Sequence, residues 1–161
     1  MNSKEEVIRK ITLDSWNSQV GRATKLIDSL TDEKLAGEVA PGRNSGIYLL
    51  GHLAAVHDAM IPLLGLGEKL HPELEEPFLK NPDKSSLQKP SATQLRKYWT
   101  EINTLLSSKF ENFTTEEWFG KHTSVSEEDF KKEPNRNRLN VVLGRINHMN
   151  YHIGQMAFLN K

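Results

Sequence analysis

The last stretch of the chain places the tightest limit on its fold. Over residues 138–159, Leu139, Val142, Ile146, Met149, Ile153 and Met156 recur at spacings of 3-4-3-4-3. Only an α-helix brings such positions onto one stripe, and a seam this regular is the kind that four-helix bundles bury. The remaining sequence offers three partners. Residues 4–30 carry Val7, Ile8, Ile11, Trp16, Val20, Ala23, Ile27 and Leu30, mostly three or four apart. Thr31-Asp32-Glu33 then reads as a stop and a new cap, and Pro41-Gly42 as a turn. A second helix is predicted over 47–64, with Asn44 and Ser45 as N-cap candidates and Pro62 kinking or ending it. A third follows the N-cap Ser91 and lines up Leu95, Trp99, Ile102, Leu106, Phe110 and Phe113. No β-branched alternation suggests strands. The predicted fold class is all-α: a four-helix bundle forming one domain over residues 1–161, a length that suits a single core of about 100–150 residues.

Two long connectors complete the pattern. Residues 65–90 contain Pro72, Pro77, Pro82 and Pro90, which exclude a regular helix or central strand. A connector of this length exceeds the roughly 2–8 residues common between bundle helices, so it reads as a crossover joining two parallel helices. Residues 114–138 form the second connector, holding Trp118, Phe119 and Phe130 among acidic residues, with cap signals at Thr115-Glu116-Glu117 and Ser126-Glu127-Glu128. Trp118 and Phe119 are expected to cap the bundle's end, or else to shape an apolar pocket.

Composition removes whole classes of function. The chain has no cysteine, which excludes disulfides, thiolate metal sites and a cysteine nucleophile, and leaves histidine and carboxylate as its metal-binding chemistry. Basic and acidic residues balance at 21 each, against the basic excess of a nucleic-acid binder. No stretch approaches the roughly 20 apolar residues of a membrane span, and the charged start Lys4-Glu5-Glu6 does not read as a signal peptide. A cytoplasmic location is expected, with no membrane or nucleic-acid partner.

Histidine is therefore where chemistry is sought. His148 and His152 lie four apart on the fourth helix, so their imidazoles stack on one face. Gln155 continues that line, along a stripe with Val141, Arg145 and Leu159 set about 100° round from the apolar seam. The polar line borders the core, where a partly buried site would sit. On the second helix His52 stands in the run Tyr48-Leu49-Leu50-Gly51-His52-Leu53-Ala54-Ala55-Val56, which is apolar or small apart from Tyr48. A histidine there must be exposed or have its ring nitrogens satisfied. Gly51 allows close approach of another element or room for a ligand, and Tyr48 either donates into the site or packs. His57 falls about 140° round from His52, too far to share its metal. His57, His71 and His122 are expected to face solvent.

Taken together these residues resemble the DinB-like superfamily of metal-dependent four-helix bundles. The run Ser45-Gly46-Ile47-Tyr48-Leu49-Leu50-Gly51-His52-Leu53 is similar to the family's second helix, and His148-Met149-Asn150-Tyr151-His152-Ile153-Gly154-Gln155 to its last. The resemblance implies a metal ion bound by His52, His148 and His152 in a bundle of up-up-down-down type, and a homodimer formed through helix faces; imidazole ligands suit zinc, nickel, copper or iron, of which zinc or nickel is expected. Many members carry an arginine where Ile153 stands here, so that residue's role does not carry over. Ser45 matches a frequent family serine that capping alone explains.

Three imidazole ligands leave a coordination position for water or substrate, the pattern of catalytic zinc. A metal so held can lower a bound water's pKa, polarise a carbonyl or hold a thiolate. The resemblance implies a small-molecule substrate and either a transferase using a low-molecular-weight thiol or a hydrolase. Gln155 would serve as a hydrogen-bond partner behind the ligands or toward substrate. No general base stands beside the histidines, Asp58 lying about 120° from His52. The alternatives are a non-catalytic metal- or ligand-binding stress-response module, and a dimerising bundle without metal.

Overall fold

Side-chain caps set where each long helix begins. The computed structural model describes residues 3–160. Helix α1 (Lys4–Ser29) starts at a reciprocal cap between Ser3 and Glu6, and α2 (Asp32–Ala36) at Thr31. Ser45 caps α3 (Gly46–Asp58), which breaks at Ala59 and resumes as α4 (Met60–Leu63). The break lies where Pro62, lacking an N–H, would have had to bond the carbonyl of Asp58. Helix α5 (Ala92–Asn112) starts at a capping box between Ser91 and Gln94, and α6 (Thr115–Phe119) at one between Thr114 and Glu117. Ser126 caps α7 (Glu127–Lys132), and Asn137 caps α8 (Arg138–Met156). The described residues contain no strand, only isolated bridges at Glu38–Ser45 and Lys121–Asn137.

Long-range bonds fix the helix directions. Trp16 Nε1 donates to Ser107 Oγ at 3.0 Å and Trp99 Nε1 to Thr24 Oγ1 at 2.9 Å, so α1 and α5 are antiparallel. Arg138, at the start of α8, donates to the Leu64 carbonyl at 3.1 Å, while Leu159 lies over Gly46, so α3 and α8 are antiparallel too. With α1 up, α3 and α5 run down and α8 up. The four-helix bundle is as expected and so is the crossover between two parallel helices, here α3 and α5. Its order is up-down-down-up, unlike the up-up-down-down order implied by the resemblance. One crossover therefore suffices. The second connector stays at one end, where the Thr123 amide bonds the Leu63 carbonyl and the Arg138 amide that of Gly120.

The seam of α8 is buried at Leu139, Val142, Ile146, Met149 and Met156, and the predicted stripe of α5 is buried throughout. Trp118 packs on Phe110 and Phe113 and closes the end of the bundle; it lines no pocket at the histidines. On α1 the buried line runs through Thr12, Trp16, Ala23 and Ile27. Val7, Ile8 and Ile11, expected in that seam, are exposed by 46%, 44% and 62%. Val7 and Ile11 point off the line, and Ile8 continues it one turn too far. The segment Gly46–Leu63 has a mean hydropathy of 1.2, as apolar as a membrane span, yet 61% of it is buried inside the bundle.

The expectation of three solvent-facing histidines is corrected. His57 is fully buried between the rings of Trp16 and Trp99 and donates through Nδ1 to Asn103 Oδ1 at 2.8 Å. His71 stacks on Tyr98 with ring centroids 3.8 Å apart, and His122 is half-buried. Asp58 is buried as well, its carboxylate accepting from the amides of Leu70 and His71 and so pinning the start of the crossover. Burial pushes the His57 pKa down to about 4. Between that value and about 6.5 the unfolded chain takes up a proton that the native chain refuses, so stability is lost as pH falls. From pH 7 to pH 5 this costs about 2 kcal/mol. Urea unfolding of metal-free protein at the two pH values should show at least that loss, and His57→Leu should reduce the pH dependence by about that amount, leaving the share that comes from the likewise depressed His148 and His152.

Candidate metal centre

Three histidines meet between α3 and α8. His52 Nε2 lies 3.2 Å from His148 Nε2, which in turn lies 3.1 Å from His152 Nε2. The ligand atoms of all three fall within 4.8 Å of one another, and each residue is half-buried. The i, i+4 spacing sets His148 and His152 on one face of α8, and the antiparallel α3 brings His52 across to them.

The outer nitrogens decide which way the lone pairs point. His52 Nδ1 lies 2.9 Å from the carbonyl of Phe78. A carbonyl can only accept, so Nδ1 carries the proton and Nε2 is bare. His152 Nδ1 stands 2.8 Å from Gln155 Oε1, which fixes the same tautomer. Two bare Nε2 atoms thus face His148 Nε2. A proton on His148 Nε2 could satisfy only one of them well, and His148 Nδ1 is buried with no partner. A cation placed among the three nitrogens satisfies all of them at once. The donor set fits a divalent ion that accepts imidazole, with bonds from the outer nitrogens of His52 and His152 orienting two of the three ligands.

Electrostatics favours the neutral ligands that metal binding needs. The His148 pKa is pushed down to about 4, first by burial and then by the neighbouring charges of His152, His52 and Arg145. Burial also lowers that of His152, against an opposing contribution from Gln155.

The structure places the other candidates as follows. Gln155 stands directly behind His152, as a supporting residue should. Tyr48 does not donate into the site: its hydroxyl bonds the Asn81 carbonyl at 2.8 Å, while its ring stacks parallel to that of His52. Phe78 had no part in the sequence reading. A backbone carbonyl leaves no mark in sequence, and the only clue was Gly51, where an added Cβ would overlap the Phe78 ring. The crossover is therefore built into the site through Phe78, Asn81 and Asp83, the last accepting from the Ser45 amide at 2.6 Å. Residues 114–138 take no part in the histidine cluster.

A four-helix bundle with three histidines gathered between two of its helices defines a class of candidate metal proteins. The DinB superfamily model matches residues 16–156, and the chain belongs to that superfamily. No curated protein matches the sequence. Among solved structures, the chain is similar to one described as a conserved protein from Enterococcus faecalis, with 18% identity, a TM-score of 0.63 and 93% of each chain covered. At that identity the likeness extends to the fold.

Removal of one imidazole should separate the cluster from the buried His57. His148→Ala should lose the uptake of about one equivalent of zinc or nickel, while His57→Ala, though less stable by roughly 2–5 kcal/mol from its cavity, should keep it. Gly51→Ala should displace Phe78 and cost about 1–3 kcal/mol by overpacking, with weaker metal affinity as His52 loses its anchor. Titration followed by elemental analysis reads the first comparison, and thermal unfolding with and without metal the second.

Proposed function

We propose that this chain is a metal-dependent enzyme, with zinc or nickel held by His52, His148 and His152 and one position left for substrate. The observation that carries the reading is the convergence of three Nε2 atoms, two of them bared by outer hydrogen bonds. When bound, such an ion activates a water or thiol by lowering its pKa. The chain's own contribution is orientation: Phe78 and Gln155 hold the outer nitrogens of His52 and His152, and Tyr48 covers His52 with its ring. The reaction we favour is transfer of a low-molecular-weight thiol to a small electrophile, with hydrolysis as the neighbouring possibility. Having no cysteine, the chain must take its sulfur from a diffusible cosubstrate.

Metal-loaded protein incubated with a panel of small thiols and electrophiles should show turnover that His148→Ala abolishes. One bound equivalent without turnover across thiol transfer and hydrolysis would instead favour a non-catalytic metal-binding module.

We also propose that two copies pair. Val7, Ile8 and Ile11 on α1, with Leu143 and Tyr151 on α8, are exposed apolar side chains on neighbouring helices, and their burial against a second copy would be favourable. Light scattering should give about twice 18.3 kDa, falling to one chain's mass in Ile11→Lys.

A further inference from the structure

Among the described residues, nothing pairs with the charge of Arg145. The other arginines that reach inward each bond something: Arg96 bonds Asp32 and the Leu30 carbonyl, Arg138 the carbonyls of Leu64 and Glu117, and Arg9 that of Phe113, although the Arg9 Nε is also buried without a partner. Arg145 is half-buried, its Nε is inaccessible and unbonded, and among the described residues it forms no ion pair. A guanidinium taken out of water without an anion is costly, and structures normally supply one.

Its position gives that vacancy meaning. Arg145 stands three residues before His148, so the two side chains are neighbours on one face of α8. They are close enough for the arginine's charge to act on His148, and on His57 across the core. Asp58, the buried carboxylate of α3, is committed to the amides of Leu70 and His71. A divalent ion on three neutral imidazoles, beside this arginine, leaves positive charge at the site that no described residue is paired with.

We propose that Arg145 is the anion anchor of this centre, and that the molecule entering the open metal position is a small carboxylate, met by the guanidinium while its second donor reaches the ion. This rests on the three-histidine metal reading above. The planar fork of arginine matches a carboxylate through two parallel bonds, which a lysine cannot reproduce.

The test uses cobalt(II)-loaded full-length protein, cobalt content measured for each variant, with mercaptoacetate and 2-mercaptoethanol as probes. Both offer one thiol, and only the first bears a carboxylate. Visible absorption should show mercaptoacetate binding about tenfold or more tightly, the worth of one charge-assisted bond. In Arg145→Gln, or in Arg145→Met should the glutamine variant fold poorly, the two affinities should come within about threefold; Arg145→Lys should keep part of the preference. Equal affinities in the unaltered protein overturn the proposal, as does a preference that survives loss of the arginine, which would mean that the carboxylate chelates the metal directly. Both results leave the metal reading standing. Failure of the unaltered protein to take up cobalt overturns that reading and this proposal with it.

Discussion

One hydrogen bond joins the fold to its candidate chemistry: the proton on His52 Nδ1 held by the carbonyl of Phe78. It fixes the tautomer and turns Nε2 toward α8. It also ties the crossover, an irregular segment interrupted by prolines, to the middle of α3. Because Gly51 has no side chain, the Phe78 ring can lie against the helix and bring its carbonyl within reach. The Tyr48–Asn81 bond and the bond from the Ser45 amide to Asp83 extend the same attachment toward the start of α3. The long connector thus acts as a wall of the site. Its length follows from the topology, since α3 and α5 run parallel and the chain must return along the bundle between them.

Parts of this were legible in the sequence because they depend on period. The seam of α8 and the stripe of α5 follow from spacing, and the caps Ser45 and Ser91 from residue chemistry at a helix start. The facing of His148 and His152 follows from their separation of four. His52 needed the family resemblance as well, since a lone histidine in an apolar run is ambiguous. The separation of His52 from His57 was also legible: five residues along α3 put them on different faces, one in the histidine cluster and one against Asn103.

What escaped the sequence reading depends on partners, not on period. His57 carries no local sign that two tryptophans from α1 and α5 will enclose it. Val7, Ile8 and Ile11 have the right residue types for a core, but burial is decided by where the neighbouring helices end. The Phe78 carbonyl is a backbone group, invisible in any composition. Arg145 was visible on the polar stripe, yet only the structure shows that its Nε is buried without a bond and that it forms no ion pair among the described residues.

Everything proposed for this site turns on the three Nε2 atoms binding one divalent ion. X-ray absorption on zinc-loaded protein tests it most directly. One equivalent with three imidazole nitrogens at about 2.0–2.1 Å is expected, and loss of that signature in His148→Ala. Zinc surrounded by oxygen alone, or an unchanged imidazole signal in that variant, would contradict it.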